Sequence, residues 1–217
     1  YCLKAYLMLE DGSVYEGTAR GDFKETACEI VFNTSMTGYV EILTDPSYAG
    51  QGVVMTYPMI GNYGISREDF ESERLQPSAF IVHELSSDPS NFRCTDTIEN
   101  LLKEYNIPCI SGVDTRAVVK KLRESGTMRG VLTSDIGDRE RLMDVIKSFR
   151  QIDLVGSVTA KQTKVYGEEN TGAEIALMDF GTKRNIINNL VKRNCIVTVY
   201  PLSLIHISEP TRHLRIS

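Results

Sequence analysis

Nucleophilic catalysis needs a thiol or hydroxyl with a base in reach, and this chain offers few such pairs. Its thiols are Cys2, Cys28, Cys94, Cys109 and Cys195, and its imidazoles are His83, His206 and His213. No two cysteines form a C-x-x-C pair, and their odd, scattered spacing suits neither a zinc site nor a disulfide framework. They read as reduced, mostly buried thiols of a cytoplasmic protein. His83 lies on an apolar stretch and reads as a packed, hydrogen-bonded histidine rather than a base. Spacing therefore supports no catalytic residue and no metal site.

Three other places carry polar chemistry. Asp45-Pro46-Ser47 is a turn whose hydroxyl can bond either the backbone or a ligand. Asp179-Phe180-Gly181 precedes a helix and could hold an anion there, but it lacks a Gly-rich phosphate fingerprint and reads as a plain strand-to-helix turn. Lys120, Lys121 and Arg123 make a basic helix end, which reads as a solvated face complementing the helix dipole.

The elements that must position these residues begin with strands. Residues 5–10 and 14–18 read as a hairpin around Asp11-Gly12. Residues 29–33, 53–57 and 80–83 read as further strands. Between them, 34–52 is dense in Gly, Thr, Ser and Asp-Pro and is expected to be mostly loop, and 58–64 is turn-rich. Helical spacing enters with Ile98, Leu101, Leu102 and Tyr105, behind a capping box at Asp96 and Glu99. A near-continuous apolar strand follows at 107–113. Next comes a helix capped by Asp114 or Thr115 and ended at Gly126, then a strand at 130–133 and a helix on Leu142, Val145, Ile146 and Phe149. Strands first and alternation afterwards predict an α/β fold with a mixed sheet.

Residues 160–173 are polar and without apolar period, and are expected to link two domains, 1–159 and 174–201. The second opens with a strand at 175–178, a helix on Ile186, Ile187, Leu190 and Val191, and a strand at 196–200, the start of an open parallel sheet.

Bulk properties exclude some classes. With 29 acidic against 24 basic residues the net charge is −5, where a nucleic-acid binder would carry a basic surplus. No apolar run has the length of a membrane span, and the start, YCLKAYLMLEDGS, does not read as a signal peptide. It lacks an initiator Met, so the true N-terminus is expected to be missing or altered. Composition alone implies a cytoplasmic α/β protein and no activity.

Four segments go further: VFNTSMTGYVEILTDPSYAGQ (31–51), TYPMIGNYGISREDFES (56–72), ISGVDTRAVVKKLRESGTMRGVL (110–132) and LMDFGTKRNIINNLVKRNCIVTVYP (177–201). In content and order they resemble the small subunit of glutamine-dependent carbamoyl phosphate synthetase. The resemblance runs from about Lys4 to Pro201, and its first two segments are the most specific. It implies an N-terminal domain of the swivelling β/β/α type, then the start of a flavodoxin-like class I glutamine amidotransferase domain. In such proteins a Cys assisted by His and Glu releases ammonia from glutamine. A large subunit uses that ammonia with bicarbonate and two ATP to make carbamoyl phosphate for arginine and pyrimidine synthesis. The expected partners are that large subunit and L-glutamine, without nucleic acid or membrane. ATP and its divalent cation belong on the large subunit, and no cofactor is expected in this chain.

By the same resemblance, Ser47 matches the serine of the T-D-P-S-Y motif that contacts bound glutamine from the N-terminal domain. Its companion contacts, in glycine-containing loops and the nucleophile region, have no counterpart here. Cys195 falls on the domain's second strand, well before any nucleophile motif, and is not carried over as catalytic. After Pro201 the family pattern stops, and LSLIHISEPTRHLRIS (202–217) resembles translated sequencing adapter, expected to be an artefactual join. The competing expectation is a divergent edge strand at 203–208. The polypeptide is thus expected to be inactive by itself, or to act as a non-catalytic docking module for the large subunit.

Overall fold

The Asp11-Gly12 turn signal does what its chemistry predicts. In the computed structural model, which describes residues 3–151 and 153–204, β1 (Lys4–Leu9) and β2 (Val14–Arg20) pair antiparallel around it. Gly12 takes a positive φ of 85°, and Asp11 Oδ1 accepts the Ser13 N–H at 2.9 Å.

The chain divides into two compact units, Tyr1–Ile152 and Asp153–Ser217. In the first, β3 (Thr26–Asn33) leads to a short helix α1 (Tyr39–Thr44), then to β4 (Gln51–Met55) and the two-residue β5 (Met59–Ile60). There follow β6 (Ala79–Ile81), β7 (Glu84–Leu85), α2 (Ile98–Glu104), β8 (Cys109–Ser111), α3 (Thr115–Ser125), β9 (Met128–Thr133) and α4 (Arg139–Ser148). The sheet is mixed, as expected, and it also closes, which the strand pattern did not reveal. Seven strands form a barrel in the order β1-β2-β8-β6-β4-β3-β9. β3, β4, β6 and β8 run parallel in succession, and antiparallel pairs complete the ring.

Alternation along the strands sorts the core. One face supplies Leu7, Leu9, Cys28, Ile30, Val54, Ile81 and Ile110, joined by Val118 and Leu122 of α3. The opposite face of β4, β6 and β8 packs Val53, Met55, Phe80 and Cys109 against α1 and α2, while α4 covers Met8 and Val131. Small residues let this barrel close. A Cβ on Gly52 would stand 2.7 Å from Cys28 Sγ and 2.8 Å from Ile30 Cδ1, so neither neighbour leaves room for one.

Several local expectations change. The 34–52 stretch holds α1, a helix too short to stand alone and kept by burial of Tyr39, Val40, Ile42 and Leu43. The α2 N-cap is Thr97, which accepts from the Asn100 N–H, while Asp96 accepts from the Thr97 N–H one residue earlier. The strand expected across 107–113 is confined to Cys109–Ser111. Asp114 caps α3 through the Ala117 N–H, and Gly126 ends it at φ 84°.

In the second unit α5 (Leu154–Val158) precedes β10 (Lys164–Tyr166), β11 (Glu174–Asp179), α6 (Arg184–Lys192) and β12 (Ile196–Pro201). β11 and β12 are parallel, and β10 joins β12 antiparallel. The polar stretch 160–173 therefore contributes a strand, because backbone pairing on a free edge needs no apolar period. Residues 202–204 form a 3-10 turn. The rest of the tail, with His206 and His213, lies outside the described residues, as does Cys2. Among the described residues no helix is long and apolar enough to cross a membrane.

Candidate functional site

The polar turn at Ser47 is held from several sides. α1 ends at Thr44, whose hydroxyl donates back to the Val40 carbonyl at 2.8 Å. Pro46 follows, and a residue before proline is driven to extended geometry. Asp45 accordingly sits at φ −72°, ψ 119° and caps a 3-10 turn, Pro46–Tyr48. Its Oδ1 accepts the Ser47 N–H at 2.9 Å, and its carbonyl accepts the Tyr48 N–H at 3.0 Å. Asp45 is 7% exposed, whereas the Ser47 side chain is exposed. The hydroxyl thus stands out from a turn whose backbone is bound beneath it.

The far side is anchored to the barrel. Asn33, the last residue of β3, donates through Nδ2 to the Tyr48 hydroxyl at 2.9 Å. The Ala49 carbonyl accepts from Gln151 Nε2 at 3.2 Å, and Gly50, at φ 75°, donates its N–H to the Gln76 carbonyl.

Two distant stretches meet at Thr44. Its hydroxyl accepts the Glu71 N–H at 2.9 Å, and its carbonyl accepts the Ser72 hydroxyl at 2.5 Å. Gln76 Nε2 then donates to Ser72 Oγ at 2.8 Å. At the other end of α1 the Tyr39 and Tyr63 rings stack with centroids 4.2 Å apart. The Tyr63 hydroxyl accepts the Gly38 N–H, and the Tyr39 hydroxyl donates to the Gly64 carbonyl at 2.7 Å. Burial raises both phenols above their ordinary values. Burial also raises the Glu41 carboxyl, with the charges of Asp69 and Glu71 adding to the effect. Segments 31–51 and 56–72 are therefore one structure. Buried Thr44, Asp45 and Glu71 lie together in it, and a buried polar network that is satisfied specifies one arrangement.

The other sequence candidates among the described residues lie elsewhere, each with its own local partners or burial. His83 is exposed, with Nδ1 3.1 Å from the Val113 carbonyl oxygen. Lys121 pairs with Asp11 at 3.0 Å, tying α3 to the hairpin turn. The turn after β11 is filled by its own aspartate: Asp179 accepts the Gly181, Thr182 and Ala160 N–H groups at 3.0, 2.7 and 2.6 Å. Cys28 and Cys109 are buried, which pushes their thiols up to about 12, the reverse of an activated nucleophile. Cys195, beyond the end of α6, is half-buried. Among the described residues no three His, Cys, Asp or Glu side chains converge as a metal site. Sequence reasoning missed Asn33, which bonds Tyr48 beside Ser47, and the Glu71–Thr44 bond at the end of α1. An Asp-Pro-Ser signal reveals the cap, but nothing local reveals a partner from another segment.

Residues 7–132 match the family described as carbamoyl-phosphate synthase small chain, CPSase domain. The chain belongs to the carbamoyl-phosphate synthase small-chain family. The match runs from β1 into β9, so it spans the barrel and contains the Ser47 turn. The carbamoyl phosphate synthase small chain of Clostridium perfringens is 48% identical over 200 residues, covering 92% of this chain and 56% of that protein. That of Archaeoglobus fulgidus is 47% identical over 204 residues, again covering 92% and 56%. That of Listeria monocytogenes serotype 4b is 44% identical over 199 residues, covering 91% and 54%. The chain spans about half the length of the curated relatives it matches.

Proposed function

We propose that the chain is the N-terminal portion of the glutamine-hydrolysing small subunit of a carbamoyl phosphate synthase. In the assembled enzyme glutamine and water give glutamate and ammonia, which passes to a large subunit. There it is consumed with bicarbonate and ATP, whose divalent cation also belongs to that subunit. The observation that carries this reading is the family match over residues 7–132. The ordered meeting of segments 31–51 and 56–72 at Tyr39 and Thr44, on the helix that leads into the Ser47 turn, supports it.

In this reading Ser47 contacts the bound glutamine through its hydroxyl. The barrel unit corresponds to the swivelling β/β/α domain, and β11-α6-β12 opens a flavodoxin-like amidotransferase domain. The site of action is the cytoplasm, without nucleic acid or membrane. The 217-residue polypeptide should release no ammonia itself, because the resemblance carries none of its thiols over as the nucleophile, and of the described thiols Cys28 and Cys109 are buried. What it retains is the barrel, which favours docking to the large subunit as its own activity.

A pull-down with the large subunit tests the proposal. Co-purification of this polypeptide supports it, and no association sinks the docking role. A glutaminase assay on the same polypeptide should read zero, and turnover would contradict the reading of Cys195.

A further inference from the structure

We infer that Asp45 is a positioning residue for the glutamine contact, with Asn33 and Tyr48 as its second anchor; the inference rests on the proposed role of Ser47. A hydroxyl on a mobile loop must be ordered when its ligand arrives, and that ordering is subtracted from binding. The Ser47 turn is ordered beforehand. Pro46 fixes its own φ, Asp45 Oδ1 holds the Ser47 N–H at 2.9 Å, and the Asp45 carbonyl holds the Tyr48 N–H.

The next side chain is pinned too. The Tyr48 hydroxyl accepts from Asn33 Nδ2 at 2.9 Å, and Asn33 itself closes on the Ser35 N–H through Oδ1 at 2.7 Å. The Ser47 side chain is therefore left with χ1 and its hydroxyl rotor, while the residues on both sides are held. Asp45 touches the ligand through none of its atoms in this account. It acts through the Ser47 backbone, and it is buried where a solvent-facing loop would carry an exposed cap.

The test uses the full-length small subunit in complex with its large partner, carrying Ser47→Ala, Asp45→Ala, Asp45→Asn and the Asp45→Ala/Ser47→Ala pair. Removing one hydrogen bond to a ligand should raise the glutamine KM in Ser47→Ala roughly three- to tenfold. Asp45→Ala should reproduce most of that rise with kcat nearly unchanged, and carbamoyl phosphate formation from added ammonium should be unaltered. Asp45→Asn keeps the acceptor oxygen and should restore the wild-type KM. The double variant should match Ser47→Ala alone, since residues acting through one contact are not additive.

Multiplying effects, or an Asp45→Ala KM equal to wild type beside a raised Ser47→Ala KM, overturn the inference and leave the glutamine reading standing. An unchanged Ser47→Ala KM overturns the glutamine reading itself. If Asp45→Ala does not fold, Tyr48→Phe removes the second anchor and should show the same split between KM and kcat. Amide exchange on the 217-residue chain reads positioning directly. The Ser47 amide should exchange faster in Asp45→Ala and not in Asp45→Asn, and equal rates in all three proteins contradict it.

Discussion

Ile30, inside the barrel, is fully buried against Gly52 and Gly130, whereas Ile186, on the helix of the second unit, keeps 49% of its surface in solvent. The same contrast runs through both regions. The barrel unit has three buried clusters and helices on its outer faces. Among the described residues of the second unit the buried apolar cluster is Ile187, Val197 and Val199. Closure explains the difference. A closed sheet has an inside that its strands fill from all round, here joined by Val118 and Leu122 of α3, while an open three-stranded sheet buries only what its one packed helix covers.

Thiol reactivity should separate the regions most sharply. At mild alkaline pH Cys28 and Cys109, held up to about 12 by burial, should label on the order of a thousandfold more slowly than an ordinary thiol. Cys195 and Cys94, both half-buried, should label ahead of those two. Mass spectrometry of alkylated peptides over time checks this, and early labelling of Cys28 would mean the barrel opens.

Core truncation comes next. Ile30→Ala should lower stability by about 2–5 kcal/mol, and Ile186→Ala should change it by no more than about 0.5 kcal/mol. Denaturant midpoints of the two variants measure the gap, and similar midpoints would erase the distinction. A smaller loss, about 1–3 kcal/mol, is expected for Gly52→Ala, because its added methyl enters a filled interior.

The same contrast decides what could be read from the sequence. The hairpin at Asp11-Gly12, the cap at Asp114 with its stop at Gly126, and the β11-α6-β12 unit are written in local chemistry, and each was legible. α1 was not. Its six residues sit among Gly, Thr and Ser, and its helicity comes from Tyr39 stacking on Tyr63 and from burial on β4 and β6. Barrel closure was hidden for the same reason, since strand order joins β2 to β8 and β3 to β9 across the chain. β10 escaped notice because its pairing is carried by backbone while all three of its side chains are exposed. At the candidate site Ser47 was legible through resemblance. Its surroundings were not, because Asn33 bonds Tyr48 from 15 residues away and Glu71 and Ser72 bond Thr44 from another segment.

The smallest effect concerns pH. Glu25 bonds Arg141 with both oxygens, at 2.7 and 2.8 Å, and accepts from the Thr133 hydroxyl at 2.9 Å. The hydrogen bonds from Arg141 hold its carboxyl below the usual carboxylate value. A depressed folded value contributes stability that is present above the unfolded value and lost as pH falls through the folded one. Glu25→Gln should therefore lower the melting temperature slightly near neutrality, as befits a surface pair, and the two curves should converge in acid. A constant difference at all pH values would assign the effect to packing.

The hydroxyl of Ser47, carried on a turn tied to the barrel through Asn33 and Tyr48, makes the proposed glutamine contact. The glutamine KM of Ser47→Ala, measured in the full-length subunit with its large partner, tests it. A rise of roughly three- to tenfold, with ammonium-dependent synthesis unchanged, is the predicted result. A KM equal to that of the wild type would contradict it.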